Sequence, residues 1–485
     1  MYLGLDLGTS SVKAIIMNEQ GDVVASHSIP LTLSRPHPQW SEQDPQAWWQ
    51  ATDEAIKQLS RTQPMEQIQA IGLSGQMHGA VLLDAQQNIL RPAILWNDGR
   101  SVKQCLRLAK QYPQFKEITG NLVMPGFTAP KLQWVAENEA EIFCQIAHVL
   151  LPKDFLRWKM SGNFASDMSD AAGTLWLDMQ KRDWSDELLA ATGLSRCQMP
   201  TLFEGNQITG YLLPEIAKKW QMKQVPIIAG GGDNAAGAIG VGVYQPGQGM
   251  LSLGTSGVYF VVSEKFLQNS DNAVHSFCHA LPQTWHLMSV ILSAASCLDW
   301  VCQLTGISDV GAMFKEIEQH AHSDSSLLFL PYLSGERTPY NNADAKGVFW
   351  GLTHQHQRAD LCRAVLEGVS FALRQGIEVA DKAGQHADNI TLIGGGARSE
   401  YWRQLLADIT GKTLDYRQGG DVGPALGAAR LAQLAINPAH LSQIILSQPK
   451  LETRHVPNLE KHKAYQDKYN AFKKLYRSEE HTSEL

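Results

Sequence analysis

One stretch near the middle of the chain carries a carboxylate in a setting that suits chemistry. In Ile227-Ile-Ala-Gly-Gly-Gly-Asp-Asn-Ala-Ala-Gly-Ala-Ile-Gly240, an apolar run is followed by three glycines, by Asp233-Asn234 and by small residues. This order predicts a buried strand, a tight turn and a helix packed closely on a sheet. Asp233 would then lie at the mouth of the sheet, where a carboxylate can act as a general base. A helix N-cap is the alternative, and for this stretch alone it is the better interpretation.

A second carboxylate begins a motif at the N-terminus, Asp6-Leu-Gly-Thr-Ser-Ser-Val-Lys13. Gly8 lets the backbone approach a ligand, while Thr9, Ser10 and the backbone N–H groups can donate hydrogen bonds to phosphate oxygens. Asp6 can hold Mg²⁺, either directly or through water. A plain hairpin turn with polar residues explains the motif by itself equally well.

The motif recurs half a chain later. Leu7-Gly-Thr-Ser-Ser-Val12 returns as Leu253-Gly-Thr-Ser-Gly-Val258, with Gly254, Thr255 and Ser256 in the predicted turn. A repeat at this separation predicts two similarly folded halves, each with a phosphate-binding hairpin. Ser252 replaces Asp6 in the second copy, so only the first copy would supply a carboxylate for a metal ion.

A third glycine-rich turn follows the predicted strand Ile390–Ile393. It contains Gly394, Gly395, Gly396, Ala397 and Ser399, and a helix is predicted from Tyr401 to Thr410. A strand, a glycine turn and a helix start suit an adenosine or a phosphate group. Gly419-Gly-Asp-Val-Gly-Pro424 is interpreted as an ordinary turn that starts another helix, over residues 425–434.

Met77 and His78 stand at a further strand end, in Ser74-Gly-Gln-Met-His-Gly79, after the predicted strand Ile68–Leu73. A strand end flanked by glycines is a good place to contact a small ligand, and a hairpin with a core methionine is the alternative. The elements predicted to position all these residues include a hairpin over 2–16 and 23–25. Helices are predicted over 48–59, 150–162, 183–192 and 459–476, whereas 165–177 is ambiguous.

Composition excludes several classes of protein. A chain of 485 residues exceeds one ordinary core, so two or more domains are expected. A formal net charge of −7 without a block of Lys and Arg argues against a nucleic-acid partner. We expect neither a signal peptide nor a membrane span, because no suitable apolar run is present. Seven scattered cysteines without a C-x-x-C pair indicate reduced thiols and a cytoplasmic protein.

Two patterns that imitate known sites are set aside. His275, Cys278 and His279 lack a second cluster with ligand spacing, so structural histidines on a strand are preferred to a metal site. The loose dinucleotide fingerprint from Gly230 to Ala235 has no acidic residue where a ribose partner is expected, which disfavours an NAD-linked oxidoreductase.

Together these residues resemble the FGGY family of carbohydrate kinases, over nearly the whole chain up to about Tyr476. Gly126-x-Thr-x-x-Lys-Leu-x-Trp-Val-x-Glu-Asn138 is similar to the first family signature. Gly347-x-Phe-x-Gly-Leu352 with Asp360-Leu-x-x-Ala-Val-Leu-Glu367 is similar to the second. The resemblance implies an α/β fold of two actin-like (ribonuclease-H-like) ATPase domains, 1–243 and 244–476, with a nucleotide cleft between them. Residues 477–485 resemble a translated sequencing adapter and are expected to be a non-native tail.

The resemblance also implies roles for the residues described above. Asp233 matches the general base of the family, and Asp6 matches its metal-associated carboxylate. The remaining matches are the sugar-contacting residues Met77, His78 and Asn234, the phosphate hairpins at 8–10 (whose motif ends at Lys13) and 254–256, and the adenosine motif from Gly394 to Ser399. ATP and Mg²⁺ are the expected cofactors.

The reaction that the resemblance implies is ATP-dependent phosphorylation of D-xylulose at its 5-hydroxyl, a step of pentose catabolism. This choice of sugar depends on Met77-His78, because glycerol kinases of the family carry an Arg-Glu pair there. A kinase of another ketopentose or of a pentitol stays open, as does a non-catalytic actin-like ATPase. A homodimer is usual for the resembled enzymes, although no stretch of this sequence identifies an interface.

Overall fold

The computed structural model is described for residues 1–322, 325–418, 423–437 and 446–482, and for side chains up to residue 477. Two predicted features therefore lie partly outside the described residues: positions 419–422 of the turn before the helix predicted at 425–434, and positions 483–485 of the predicted tail. The described chain forms two halves, each built on a seven-stranded sheet.

The first sheet contains the N-terminal hairpin and the two short strands that precede Asp233. Its strands are β1 (Tyr2–Leu7), β2 (Ser11–Met17), β3 (Val23–Pro30), β4 (Ala70–Gly75), β5 (Ile208–Tyr211), β6 (Pro226–Ile228) and β7 (Gly231–Gly232). Their order is β5-β6-β4-β1-β2-β3, and β7 pairs with β4. β1 is parallel to β4 and antiparallel to β2, and its leucines are fully buried. Such burial on both faces suits a central strand covered by helices.

The second sheet repeats this arrangement. Its strands are β8 (Gly249–Leu253), β9 (Gly257–Ser263), β10 (His275–Cys278), β11 (Trp285–Ile291), β12 (Asn389–Ile393), β13 (Thr413–Arg417) and β14 (Leu451–His455), in the order β10-β11-β9-β8-β12-β13-β14. Like β1, β8 is antiparallel to the next strand and parallel to a later one. The two hairpins differ by one residue in register, because Leu7 pairs with Val12 whereas Leu253 pairs with Gly257.

Helices cover the two sheets and form a region between them. Those of the described chain are α1 (Pro45–Ser60), α2 (Val102–Gln111), α3 (Gln114–Thr119), α4 (Thr128–Asn138), α5 (Ala140–Phe143), α6 (Pro152–Ser161), α7 (Met168–Ala171), α8 (Asp186–Ala191), α9 (Pro214–Lys219), α10 (Asp233–Gly240), α11 (Ser296–Thr305), α12 (Val310–His320), α13 (Arg358–Asp381), α14 (Glu400–Thr410), α15 (Gly423–Ile436) and α16 (Leu459–Thr482). None of the helices within these residues is long and apolar enough to cross a membrane.

Five two-stranded sheets complete the described secondary structure. The paired segments are Glu42–Gln43 with Ala93–Ile94, Val81–Leu83 with His148–Leu150, Ala165–Asp167 with Thr201–Phe203, Leu177–Asp178 with Asp183–Trp184, and Leu328–Leu330 with Val348–Trp350. The helix predicted from residue 183 is therefore wrong at its start. Asp183–Trp184 is a strand, and Ser185 caps α8 by accepting a hydrogen bond from the N–H of Leu188.

Each half contributes a helix that packs on the other half. α15 packs on the first sheet, where a side chain on Gly4 or Gly72 would collide with the carbonyls of the helix. α10 packs on α15, because Gly427 has no side chain to strike the Ala236 carbonyl, and it also joins a core cluster with β8 and β9. The predicted boundary at 243/244 falls in the loop between α10 and β8, and stays a prediction.

Candidate active site

Two carboxylates converge at one edge of the first sheet. Asp6 of β1 lies opposite Ser74 of β4, and Ser74 lies opposite Gly231 of β7. The chain turns after Gly232 into α10, whose first residue is Asp233. Burial, and then the charge of Asp233, raise the pKa of Asp6 to about 7. The two side chains are therefore close enough to influence each other's ionisation.

Asp233 is the first residue of α10 and not its cap. The cap position of α10 is Gly232, so the N-cap interpretation is wrong by one residue. Oδ1 of Asp233 accepts the backbone N–H of Asn234 at 2.8 Å and its side-chain amide at 3.1 Å. Burial raises the pKa of Asp233 to about 6 despite these bonds. A carboxylate with a raised pKa is still mostly ionised at neutral pH and is a stronger base than an ordinary one.

A buried ionic cluster holds the chain just before Asp233. The N–H of Gly232 donates to Oγ of Ser169 at 3.1 Å, and Ser169 donates to Asp167 at 2.5 Å. Lys153 forms salt bridges with Asp167 at 2.6 Å and with Asp170 at 2.9 Å, and none of these charged side chains is exposed. The sequence analysis missed this cluster, because Lys153, residues 167–170 and Gly232 belong to three separate segments that share no motif.

Met77 and His78 lie against the same strand end. A Cβ on Gly232 would stand 2.8 Å from Cγ of Met77. His78 adopts a left-handed backbone conformation, φ 71°, and its Nδ1 lies 2.6 Å from the carbonyl oxygen of Gly173. The structure thus brings together the two residue pairs, 77–78 and 233–234, that the sequence analysis assigned to the sugar.

A small cavity of about 40 Å³ opens beside His78. Its walls come from both halves: His78, Trp96, Met124, Gly126 and Phe127 from the first, and His275 and Arg337 from the second. This volume is well below the range for drug-sized ligands. The sequence analysis set His275 aside as structural and overlooked Arg337. Strand periodicity gave the correct element for His275 but could not show what the strand faces.

Lys131, which belongs to the first family signature, holds residues that line this cavity. The side chain is fully buried, and its ammonium donates to the carbonyl oxygens of His78 at 3.0 Å, Phe127 at 3.2 Å and Gly126. Burial lowers the pKa of Lys131 to about 7. One buried cation therefore joins the loop that carries His78 to the N-terminus of α4.

The first hairpin is hydrogen-bonded to Gln76, which follows β4, and to Trp96. The hydroxyl of Thr9 donates to Gln76 at 3.3 Å and accepts from the indole N–H of Trp96 at 2.9 Å. Ser10 is exposed, and Gly8 donates its N–H across the turn to Ser11 at 2.9 Å. Lys13 lies opposite Asp6, and its charge lowers the pKa of that carboxyl, although burial prevails. Ser10 is therefore the hairpin hydroxyl best placed to meet a phosphate.

The second hairpin and the third glycine turn lie together. A Cβ on Gly394, at φ 89°, would come within 2.9 Å of the carbonyl of Leu253, directly before Gly254. The carbonyls of Gly254 and Thr255 accept the N–H groups of Ala295 and Ala294 at 2.9 and 2.8 Å. The other members of the predicted motifs have distinct settings: Ser256 closes the turn, Gly395 has open space beside it, Gly396 contacts Trp402, Ala397 is buried, and Ser399 caps α14.

The donors present near Asp6 fit Mg²⁺. Oδ1 of Asp6 is buried and has no hydrogen-bond partner among the described groups. The described residues contain no group of three or more His, Cys, Asp or Glu side chains that could enclose a metal ion. Mg²⁺ commonly binds through one or two carboxylates and substrate phosphates instead of an all-protein cage. Asp6, beside the predicted phosphate hairpin, meets that requirement.

Comparison with known proteins defines the class. Residues 1–240 match the N-terminal domain, and residues 249–436 the C-terminal domain, of the FGGY family of carbohydrate kinases. The chain belongs to this family of phosphotransferases. The predicted fold, two actin-like α/β domains, is confirmed.

Two relatives and one solved structure are similar to this chain along nearly its whole length. The chain is 63% identical over 476 residues to a protein of Escherichia coli K12 named xylulose kinase, covering 98% of each. It is 59% identical over 458 residues to a xylulose kinase of Klebsiella pneumoniae, covering 94% of this chain and 95% of the other. Its structure superposes with a TM-score of 0.96 on that of a xyloylose kinase from Brucella ovis, with 47% identity and 99% of each chain covered.

Proposed function

We propose that this chain transfers the γ-phosphoryl group of ATP to the 5-hydroxyl of D-xylulose, giving D-xylulose 5-phosphate and ADP. The observation that carries this proposal is the identity of 63%, along 98% of both chains, with a relative named xylulose kinase. A kinase of another ketopentose or pentitol, and a non-kinase actin-like ATPase, are not favoured by this similarity.

Asp233 is the general base of the proposed mechanism. The sugar lies in the cavity beside His78 with its 5-hydroxyl at the Asp233 carboxylate. The sugar oxygen forms a bond to the γ-phosphorus, the bond from that phosphorus to the ADP oxygen breaks, and the hydroxyl proton passes to Asp233. Asn234 supports this role, because its two hydrogen bonds leave the second oxygen of the carboxylate available. General bases of this kind contribute roughly 10²- to 10⁴-fold to the rate.

Asp6 is the residue that would hold Mg²⁺, through its unpartnered buried oxygen. When bound with the nucleotide, Mg²⁺ neutralises charge on the β- and γ-phosphates. The ionised form of Asp6 is favoured by Lys13 on the neighbouring strand. Asp6 thus forms no covalent bond in the reaction and acts through its charge and its position.

The glycine turns hold the nucleotide in this proposal. The turns at 8–10 and 254–256 supply backbone N–H groups and the hydroxyl of Ser10 to the phosphates. The turn at 394–399 accommodates the adenosine, since Gly395 leaves open space at the start of the segment that leads into α14. We also propose a cytoplasmic homodimer, which light scattering and cell fractionation would test.

The test is ADP release from purified protein with Mg-ATP, measured against D-xylulose, D-ribulose, L-xylulose, pentitols and glycerol. We expect D-xylulose to stimulate release far more than the others. Asp233→Ala should lose most turnover and still bind nucleotide, whereas the matched control Asp186→Ala, an exposed carboxylate paired with Arg196, should retain turnover. Near-normal turnover of Asp233→Ala would remove Asp233 as the base, and stimulation by another sugar would replace the substrate.

A further inference from the structure

Arg337 enters the sugar cavity from the second half of the chain. The next residue, Thr338, fixes its loop to the second sheet: the Thr338 hydroxyl donates to Ala273 at 2.9 Å and the Thr338 N–H donates to Val290 at 3.0 Å. The charge of Arg337 helps to lower the pKa of both His78 and His275, after burial as the main cause. The guanidinium therefore faces the same space as the two imidazoles.

Arg337 has no counter-ion in the described part of the chain. No carboxylate there lies within 4.0 Å of its guanidinium, and the neighbouring Glu336 instead accepts the backbone N–H of Arg337 at 2.7 Å. Burial lowers the pKa of the arginine, and the charge of Glu336 offsets only part of this shift. An unpaired charge of this kind lowers stability and is typical of a ligand site.

The other polar groups of the cavity are hydrogen-bond acceptors. His78 is neutral, and because Gly173 offers only a carbonyl, Nδ1 must carry the proton and Nε2 is an acceptor. The Nδ1 of His275 likewise lies 3.2 Å from Oδ1 of Asn121. That oxygen is identified by the amide of Asn121, which donates to two carbonyls. Both histidines thus offer Nε2 as an acceptor for sugar hydroxyls.

A ketose carries one oxygen that these acceptors cannot satisfy. Each hydroxyl can donate, but the carbonyl oxygen can only accept. The indole N–H of Trp96 is already donated to Thr9, which leaves the Arg337 guanidinium as the charged donor of the cavity. None of the residues that line this cavity belongs to a phosphate hairpin, so the sugar, and not the nucleotide, is the ligand that the guanidinium meets.

We propose that Arg337 donates hydrogen bonds to the C2 carbonyl oxygen of the bound ketose and so distinguishes ketoses from the corresponding alditols. The assignment rests on the proposed function, which supplies the ketose. It also gives the second half of the chain a direct contact with the sugar, whereas Asp233 and His78 belong to the first half.

The experiment compares binding of D-xylulose with binding of xylitol and D-arabinitol, its two C2-reduced forms, by isothermal titration calorimetry without nucleotide. The variants are Arg337→Met, Arg337→Lys and the control Arg358→Met, whose arginine pairs with Glu316 on the surface. Wild type should prefer the ketose. Arg337→Met should reduce that preference by roughly ten- to a hundredfold, the range for a hydrogen bond to a charged group.

Arg337→Lys should retain part of the preference, and Arg358→Met should retain all of it. Arg337→Met should melt no earlier than wild type without ligand, since it removes an unpaired charge. An unchanged preference in Arg337→Met would overturn the assignment. Failure of wild type to bind D-xylulose would overturn the proposed function first, and the two failures are therefore distinguishable.

Discussion

Replacing the proposed base should inactivate the enzyme and stabilise the protein, by an amount that depends on pH. Burial raises the pKa of Asp233 from the ordinary 3.8 to about 6. A carboxyl whose pKa is raised by folding binds its proton more tightly in the folded state, so ionisation above that pKa favours unfolding. The difference corresponds to roughly 3 kcal/mol at about 1.36 kcal/mol per pH unit. Partial exposure of the side chain makes this an upper value.

Asp233→Asn keeps the shape and the acceptor for Asn234 but cannot ionise. Its gain in melting temperature over wild type should be smallest near pH 4.5 and should reach its full value above about pH 6, because the difference develops between the unfolded and folded pKa values. A gain of about 1–3 kcal/mol corresponds to a few degrees for a domain of this size. Scanning fluorimetry of ligand-free protein between pH 4.5 and 8 measures this, and turnover should fall roughly 10²- to 10⁴-fold.

Asp309→Asn is the matched control, in which the change of melting temperature at neutral pH should have the opposite sign. Hydrogen bonds from Ala312 and Ser308, at the start of α12, lower the pKa of the exposed Asp309 carboxyl. Its ionised form therefore stabilises the folded state at neutral pH, and the variant should melt earlier there and approach wild type in acid. An Asp233→Asn difference that is independent of pH, or that is negative at pH 7, would refute the reasoning about the buried carboxylate.

Two further predictions concern the rate and the sugar site. kcat/KM for D-xylulose should fall below about pH 6, because Asp233 must be ionised to accept a proton. A pH–rate profile that is flat down to pH 5 would contradict this expectation. Lys131→Met should raise KM for the sugar more than KM for ATP, because it releases the carbonyls of His78 and Phe127; an equal effect on both constants would indicate general destabilisation.

Local patterns predicted the parts of the site that are built from consecutive residues. The turn at Gly8 and its repeat at Gly254 were visible because each joins two short apolar runs through a glycine. The layout of strand, turn and helix around Asp233 was visible for the same reason. The one-residue difference in register between the two hairpins was not visible in the sequence, because strand pairing depends on the partner strand as well as on the turn.

The remainder of the site depends on contacts between distant segments. In the sequence, Lys131 is one position of the first family signature. Only the folded chain shows that its ammonium contacts the carbonyl oxygen of His78. Arg337 and His275 reach the cavity because their loop and strand pack against residues near Phe127 in the other half. No spacing within a single segment carries that information, so the sequence analysis could not find Arg337.

The position of Asp233 on α10 has a mechanical consequence. α10 is the helix that packs against α15 through the contact of Gly427 with Ala236, and it also contributes to the core formed with β8 and β9. The proposed base therefore begins a helix that packs on elements of both halves. His78, the proposed sugar contact, packs on Phe127 in the first half, whereas the turns at 254–256 and 394–399 belong to the second. In the proposed mechanism, α10 therefore links the base to the half of the chain that holds the nucleotide.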